Sequence, residues 1–101
     1  MDMGKEYTPE EKRRIRDSFI KDGVLTKMPA QRKKQLVIIE EMAKLFEPGR
    51  TYMEREVNAI LQPVYEDFVT LRRDLVDTRH LTRDHGIYRR VEVDTGGENS
   101  L

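Results

Sequence analysis

The apolar positions of this chain recur first at helical spacing and only near the end at strand spacing. In "YTPEEKRRIRDSFI" the apolar stripe is thin, with Ile15 and Phe19 on one face and Ile20 off to one side. Thr8 precedes Pro9, whose fixed φ suits a first helical position, and Glu11 completes a capping box, so the pattern predicts a helix over 9–20. So narrow a stripe buries little, and this helix is expected to dock loosely or to meet a partner. Asp22-Gly23 is a turn signal, followed by a short extended piece, Val24-Leu25-Thr26, that ends before Pro29. From Ala30 to Phe46 the period is helical again. At about 100° per residue Leu36, Ile38, Ile39, Met42, Ala43, Leu45 and Phe46 cover roughly half of the circumference, and Lys33, Glu40, Glu41 and Lys44 the rest. That segment is the expected centre of the core.

Pro48-Gly49 stops it, and "RTYMEREVNAILQP" opens a helix whose inward residues are Met53, Val57, Ile60 and Leu61, closed by Pro63. "EDFVTLRRDLVDTRHL" then sets Phe68, Leu71, Leu75 and Val76 on one side of a helix expected over about 67–79. After it the period drops to two. "LTRDHGIYRRVEV" alternates Leu81 and Arg83, then Ile87, Arg89, Val91 and Val93, about the turn "DHG", which predicts a hairpin. From Asp94 the chain lacks core formers and is expected to be mobile. The expected organisation is therefore an N-terminal helical extension over 1–21, a winged-helix domain over 22–93 and a disordered tail over 94–101. The fold class is α+β, mainly α: a winged helix-turn-helix with an extra N-terminal helix and a C-terminal two-stranded wing. In that arrangement the helix after the turn is offered to a DNA major groove and the wing reaches the adjacent backbone or minor groove.

Composition narrows the classes. A chain of 101 residues holds one domain with one modest core. It has no cysteine, which excludes disulfides, thiol nucleophiles and cysteine-ligated metals. No apolar run approaches the roughly 18 residues that cross a bilayer, and "MDMGKEYTPEEKRR" lacks the apolar centre of a signal peptide, so a cytoplasmic protein with no membrane partner is expected. The net charge is zero, which argues against nucleic acid. Its distribution argues the other way. Residues 1–34 carry net +4, 35–68 net −4, 69–90 net +3 and 91–101 net −3. Basic blocks folded onto one face would present an anionic partner with a positive potential that the average conceals.

Lys27, Arg32, Lys33 and Lys34 stand at a predicted helix start with no acid until Glu40. Cations there oppose the helix dipole, so they point to a nearby anion, and a DNA phosphate at the free backbone N–H groups would serve. The plainer reading has Arg32 on the apolar side bracing the short strand, and Lys33 near enough to Glu40 and Glu41 for screened pairing. On the helix over 67–79, the face opposite Leu71 and Leu75 carries Glu66, Thr70, Arg73 and Asp77, making Thr70 and Arg73 candidates for groove contact. Arg72 lies on the flank of the apolar arc, where it is expected to pack its stem and pair with a carboxylate as well as to compete as a contact. In the hairpin Arg83, Arg89 and Arg90 with Tyr88 fit a wing that touches phosphates, against an ordinary solvated hairpin. His80 and His85 lack a third ligand at any useful spacing, so no metal site is expected. Ser18 has no partners for a triad, and no catalytic residue or cofactor is expected.

The stretch "DGVLTKMPAQRKKQLVIIEEMAKLFEPGRTYMEREVNAILQPVYEDFVTLRRDLVDTRHLTRD" with "YRR" after it, about seven tenths of the chain, resembles the bacterial DUF2087 family. "LTKMP" with "RKK", "FEPGRTY", "EREVN" and "LRRDLVD" carry the resemblance as a set. The resemblance implies a winged-helix module, found alone or attached to winged-helix transcription regulators, without enzymatic activity. Met53 departs from the Ser or Thr that the family tends to place before the "E-x-E-V-N" run. A missing side-chain cap costs about 1 kcal/mol, so that helix is expected to start earlier, using Thr51, or to fray. The expected function is double-stranded DNA binding by a transcription regulator, as a homodimer because one such module buries limited contact area. The alternative is a non-catalytic protein–protein interaction module, in which the acidic middle block and the helix over 9–20 bind another protein.

Overall fold

A computed structural model describes residues 7–91. The tail expected from Asp94 lies outside the described residues. Four helices and two small antiparallel sheets form an α+β fold around one core.

α1 (Pro9–Phe19) begins with the expected capping box: Thr8 Oγ1 accepts the Glu11 N–H at 3.1 Å, and the Glu11 carboxylate accepts the Thr8 N–H at 2.8 Å. Ile20 leaves the helix for β1 (Ile20–Lys21), which pairs with β2 (Val24–Leu25). Asp22 and Gly23 between them have φ of 52° and 80°, the doubly positive backbone of a type I′ hairpin turn. The docking of α1 corrects the expectation of a loose helix. Ile15 is only 8% exposed, and Lys12 and Arg16 each reach a carboxylate of the next helix, Glu40 and Glu41, at 3.5 Å.

α2 (Arg32–Ala43) is shorter at both ends than the pattern from Ala30 to Phe46 predicted. Gln31 is extended and caps nothing with its side chain, so the helix starts late. After Ala43 the N–H groups of Leu45 and Phe46 bond back three residues, to Met42 and Ala43, tightening the last turn towards 3₁₀ winding. That winding carries Phe46 inward, to 1% exposure, and leaves Leu45 at 44%. Val37 is buried in place of Leu36, which stays 38% exposed.

β3 (Thr51–Met53) is a strand that the pattern did not predict. Tyr52 points from it into the core, edge to face with Phe46 at 5.2 Å between ring centres, and its hydroxyl accepts the Glu47 N–H at 2.8 Å. α3 (Glu54–Leu61) follows directly. Thr51 is committed to β3, so the helix does not start earlier. Glu56 Oε1 accepts the Met53 N–H at 2.7 Å, half of a capping box that a thioether is poorly equipped to complete. α4 (Phe68–Asp77) starts at Asp67, whose carboxylate accepts the Thr70 N–H at 3.3 Å.

β4 (Leu81–Asp84) and β5 (Ile87–Arg90) form the predicted hairpin through a second I′ turn, His85 and Gly86 having φ of 55° and 80°. That turn pairs Asp84 with Ile87, which sets Arg83 opposite Tyr88 and Leu81 opposite Arg90. Tyr88 is therefore the buried residue of β5, at 2%, and Ile87, the apolar residue that the alternation singled out in that strand, is 37% exposed. β3 pairs with the far side of β5, giving the order β3-β5-β4.

Candidate nucleic-acid interface

α4 turns Leu71 and Leu75 into the core, each with no exposed surface, and leaves Val69, Thr70, Arg73 and Asp77 outward. Helical spacing anticipated Thr70, Arg73 and Asp77 on that side, whereas the exposure of Val69 was not anticipated. Arg73 has no ion pair among the described residues.

Its neighbour Arg72 behaves differently. Its side chain is 15% exposed, and Nη1 donates to Asn58 Oδ1 of α3 at 2.5 Å while Nη2 lies 3.7 Å from Glu54 Oε2. The other oxygen of Glu54 accepts the Tyr88 hydroxyl of β5 at 3.1 Å. One carboxylate thus ties α3, α4 and the hairpin together. Burial, then the hydrogen bond to Glu54, pushes the Tyr88 phenol above its usual range, so it stays a donor at neutral pH. The Arg83 guanidinium lies over the Tyr88 ring, 6.0 Å from its centre. These groups line an open cleft of about 420 Å³ between α4 and the hairpin, with Arg73 and Asp77 at its helix side.

The remaining predicted residues are dispersed. Arg89 stands on the opposite face of the sheet, flanked by Thr51 and Thr82 in register. Arg90 is half-buried and Nη1 donates to the Phe46 carbonyl at 3.0 Å, securing the end of the α2 segment to β5. Arg32 is exposed rather than on the apolar side, and it donates to Gln35 Oε1 at 3.0 Å. Its charge acts on Asp74 of α4. Burial raises the Asp74 carboxyl and Arg32 opposes that rise without cancelling it. Lys27 is exposed and Lys34 half-buried at the same helix start. Lys33 lies over the Tyr7 ring at 5.4 Å, while Glu40 holds Lys12 and Glu41 holds Arg16 and, at 3.2 Å, Lys44. Lys33 also lines a separate groove near His80 and Thr78.

The two histidines occupy turns. His85 Nδ1 lies 2.7 Å from Asp84 Oδ1, and His80 Nδ1 lies 2.7 Å from Thr78 Oγ1. Burial pushes the His80 imidazole below its usual value, with Glu40 opposing the shift and Arg90 adding to it. Among the described residues no helix is long and apolar enough to cross a membrane.

Residues Glu54, Asn58 and Tyr88 were not predicted as a unit. The available signal was Asn58 beside the buried Val57, a polar side chain on a helix flank that needs a partner.

The family model described as "Uncharacterized protein conserved in bacteria (DUF2087)" matches residues 24–90. The chain belongs to the DUF2087 family. The match runs from β2 through β5, so the whole α4–hairpin cleft lies inside the DUF2087 segment and α1 lies before it. No curated protein and no solved structure matches this DUF2087 chain.

Proposed function

We propose that this DUF2087 protein is a winged-helix module that binds double-stranded DNA, with α4 in the major groove and the β4–β5 hairpin as the wing. The observation that carries the reading is the order α2-β3-α3-α4-β4-β5 with β3 paired to β5, which fixes the hairpin beside the helix that would enter the groove. The exposed Thr70 and Arg73 on α4 and Arg83 on the hairpin supply the polar contacts. Glu66 and Asp77 share the exposed side of that segment, so binding rests on few cations and falls with salt along a shallow slope. The reading extends to a transcription regulator that acts as a homodimer, the dimer because one module offers limited contact area.

One observation favours the alternative, a protein-interaction module. Met53 and Ile87 are register partners on the open face of the sheet, 50% and 37% exposed. The buried Ile15 moves that alternative away from α1.

Fluorescence anisotropy with a short mixed-sequence duplex, titrated at several salt concentrations, tests the DNA reading. The wild type is expected to bind at low salt, and Arg73→Ala to bind more weakly with a slope reduced by about 0.9 or less. No binding at low salt overturns the reading.

A further inference from the structure

Resting on the DNA reading, we infer that the cleft between α4 and the hairpin holds a single backbone phosphodiester, gripped by Arg73 from the helix side and Arg83 from the wing side. Three guanidiniums line the cleft, and they are not equivalent. Arg72 is occupied by Asn58 and Glu54 and is a positioning residue. Through Glu54 it holds the Tyr88 hydroxyl, and the Tyr88 ring in turn carries the Arg83 guanidinium. Arg73 and Arg83 have no carboxylate within ion-pair distance among the described residues, so both remain available to an anion.

The charges select the ligand. Arg72 and Glu54 offset each other, and Asp77 offsets one of the other two guanidiniums, leaving the cleft with one uncompensated positive charge. A phosphodiester carries one negative charge. A doubly charged phosphate monoester would be left with an excess that the nearby Asp77 and Glu54 repel. About 420 Å³ exceeds the space that one phosphate group fills, so the cleft has room for the sugar atoms that flank a phosphodiester as well. Guanidiniums suit this task because their planar forks present paired donors to phosphate oxygens.

The test is a double-mutant cycle in salt titrations on a short mixed-sequence duplex, using Arg73→Gln, Arg83→Gln and the double variant, with melting curves on each sample. Arg89→Gln, on the other face of the sheet, serves as comparison. If both residues grip one phosphate, the double variant lowers the salt slope by about 0.9 in total, and the two affinity losses are coupled rather than additive. Arg83→Lys keeps the slope, since the charge remains. A double variant that lowers the slope by about 1.8, with additive losses, assigns the residues to two phosphates and overturns the shared grip. Unchanged slopes in variants of a wild type that binds also overturn it and leave the DNA reading standing. A wild type that does not bind removes both.

Discussion

Arg79 adopts a conformation that its chemistry disfavours. Its φ is 66°, and it closes α4: the His80 N–H bonds to the Leu75 carbonyl at 2.9 Å and the Arg79 N–H to that of Val76 at 3.0 Å, the paired bonds of a Schellman motif. Glycine is the residue that reaches this region without a Cβ clash. Arg79→Gly is expected to stabilise the protein by about 0.5–1 kcal/mol, after allowing for the greater freedom of glycine in the unfolded chain, and thermal melts read the gain as a rise of a few degrees. His80, the next residue, gives the pH prediction. Its folded value lies below that of the unfolded chain, about 6.5, so the unfolded state takes up the proton more readily. The stability that its neutral form contributes is full above that value and is lost as pH falls through the lowered folded value. Denaturant melts from pH 7.5 to 5 should show this loss, and His80→Asn should flatten that part of the profile. A profile unchanged by the substitution assigns the acid sensitivity elsewhere. At this scale Arg72 was legible because helical angle alone put it on the flank of the apolar arc. Its partners were not, since Asn58 and Glu54 belong to another helix and no spacing in the sequence connects them.

At the scale of elements, the helices and the hairpin were readable and β3 was not. α4 shows its period over three turns, and its observed bounds fall within the predicted 67–79. β3 has three residues, too few for a period, and its partner β5 lies beyond two helices, so nothing local marks it. The start of α2 was read correctly as unfavourable in charge. Arg32, Lys33 and Lys34 fill its first turn with no acid and no side-chain cap. The fold answers part of that with its own groups, Arg32 acting on Asp74 and Lys33 meeting the Tyr7 ring. Lys34 has no ion pair among the described residues. Lys34→Glu should therefore stabilise the helix by about 0.3–1 kcal/mol at low ionic strength, with the gain shrinking as salt is added. A loss of stability would show that Lys34 serves the folded state in a way the dipole does not describe.

For the whole molecule, the alternating blocks of charge suggested one basic face, and the fold divides the cations instead. Arg72, Arg73 and Arg83 converge on the α4–hairpin cleft, whereas Lys33 enters a separate groove and Arg89 the far side of the sheet. That distribution depends on how helices are rotated against a sheet, which charge counts along a chain do not contain. The core itself is continuous from Ile15 to Tyr88.

The strand order β3-β5-β4 also sets the sequence of events as the chain folds. The β4–β5 hairpin closes over two residues and can form early, but β3 reaches β5 only once α3 and α4 have been laid between them, a long loop whose closure costs entropy before any contact offsets it. If the hairpin nucleates the sheet, β3 joins it after the rate-limiting step. Tyr52→Phe, which removes the acceptor of the Glu47 N–H, should cost about 1 kcal/mol and appear in stopped-flow chevrons as faster unfolding with an unchanged folding arm. Gly86→Ala, forced to keep a φ of 80° in the hairpin turn, should instead slow folding. A folding arm slowed by Tyr52→Phe would put the capture of β3 inside the nucleus, and the hairpin would no longer be the first part of the sheet to form.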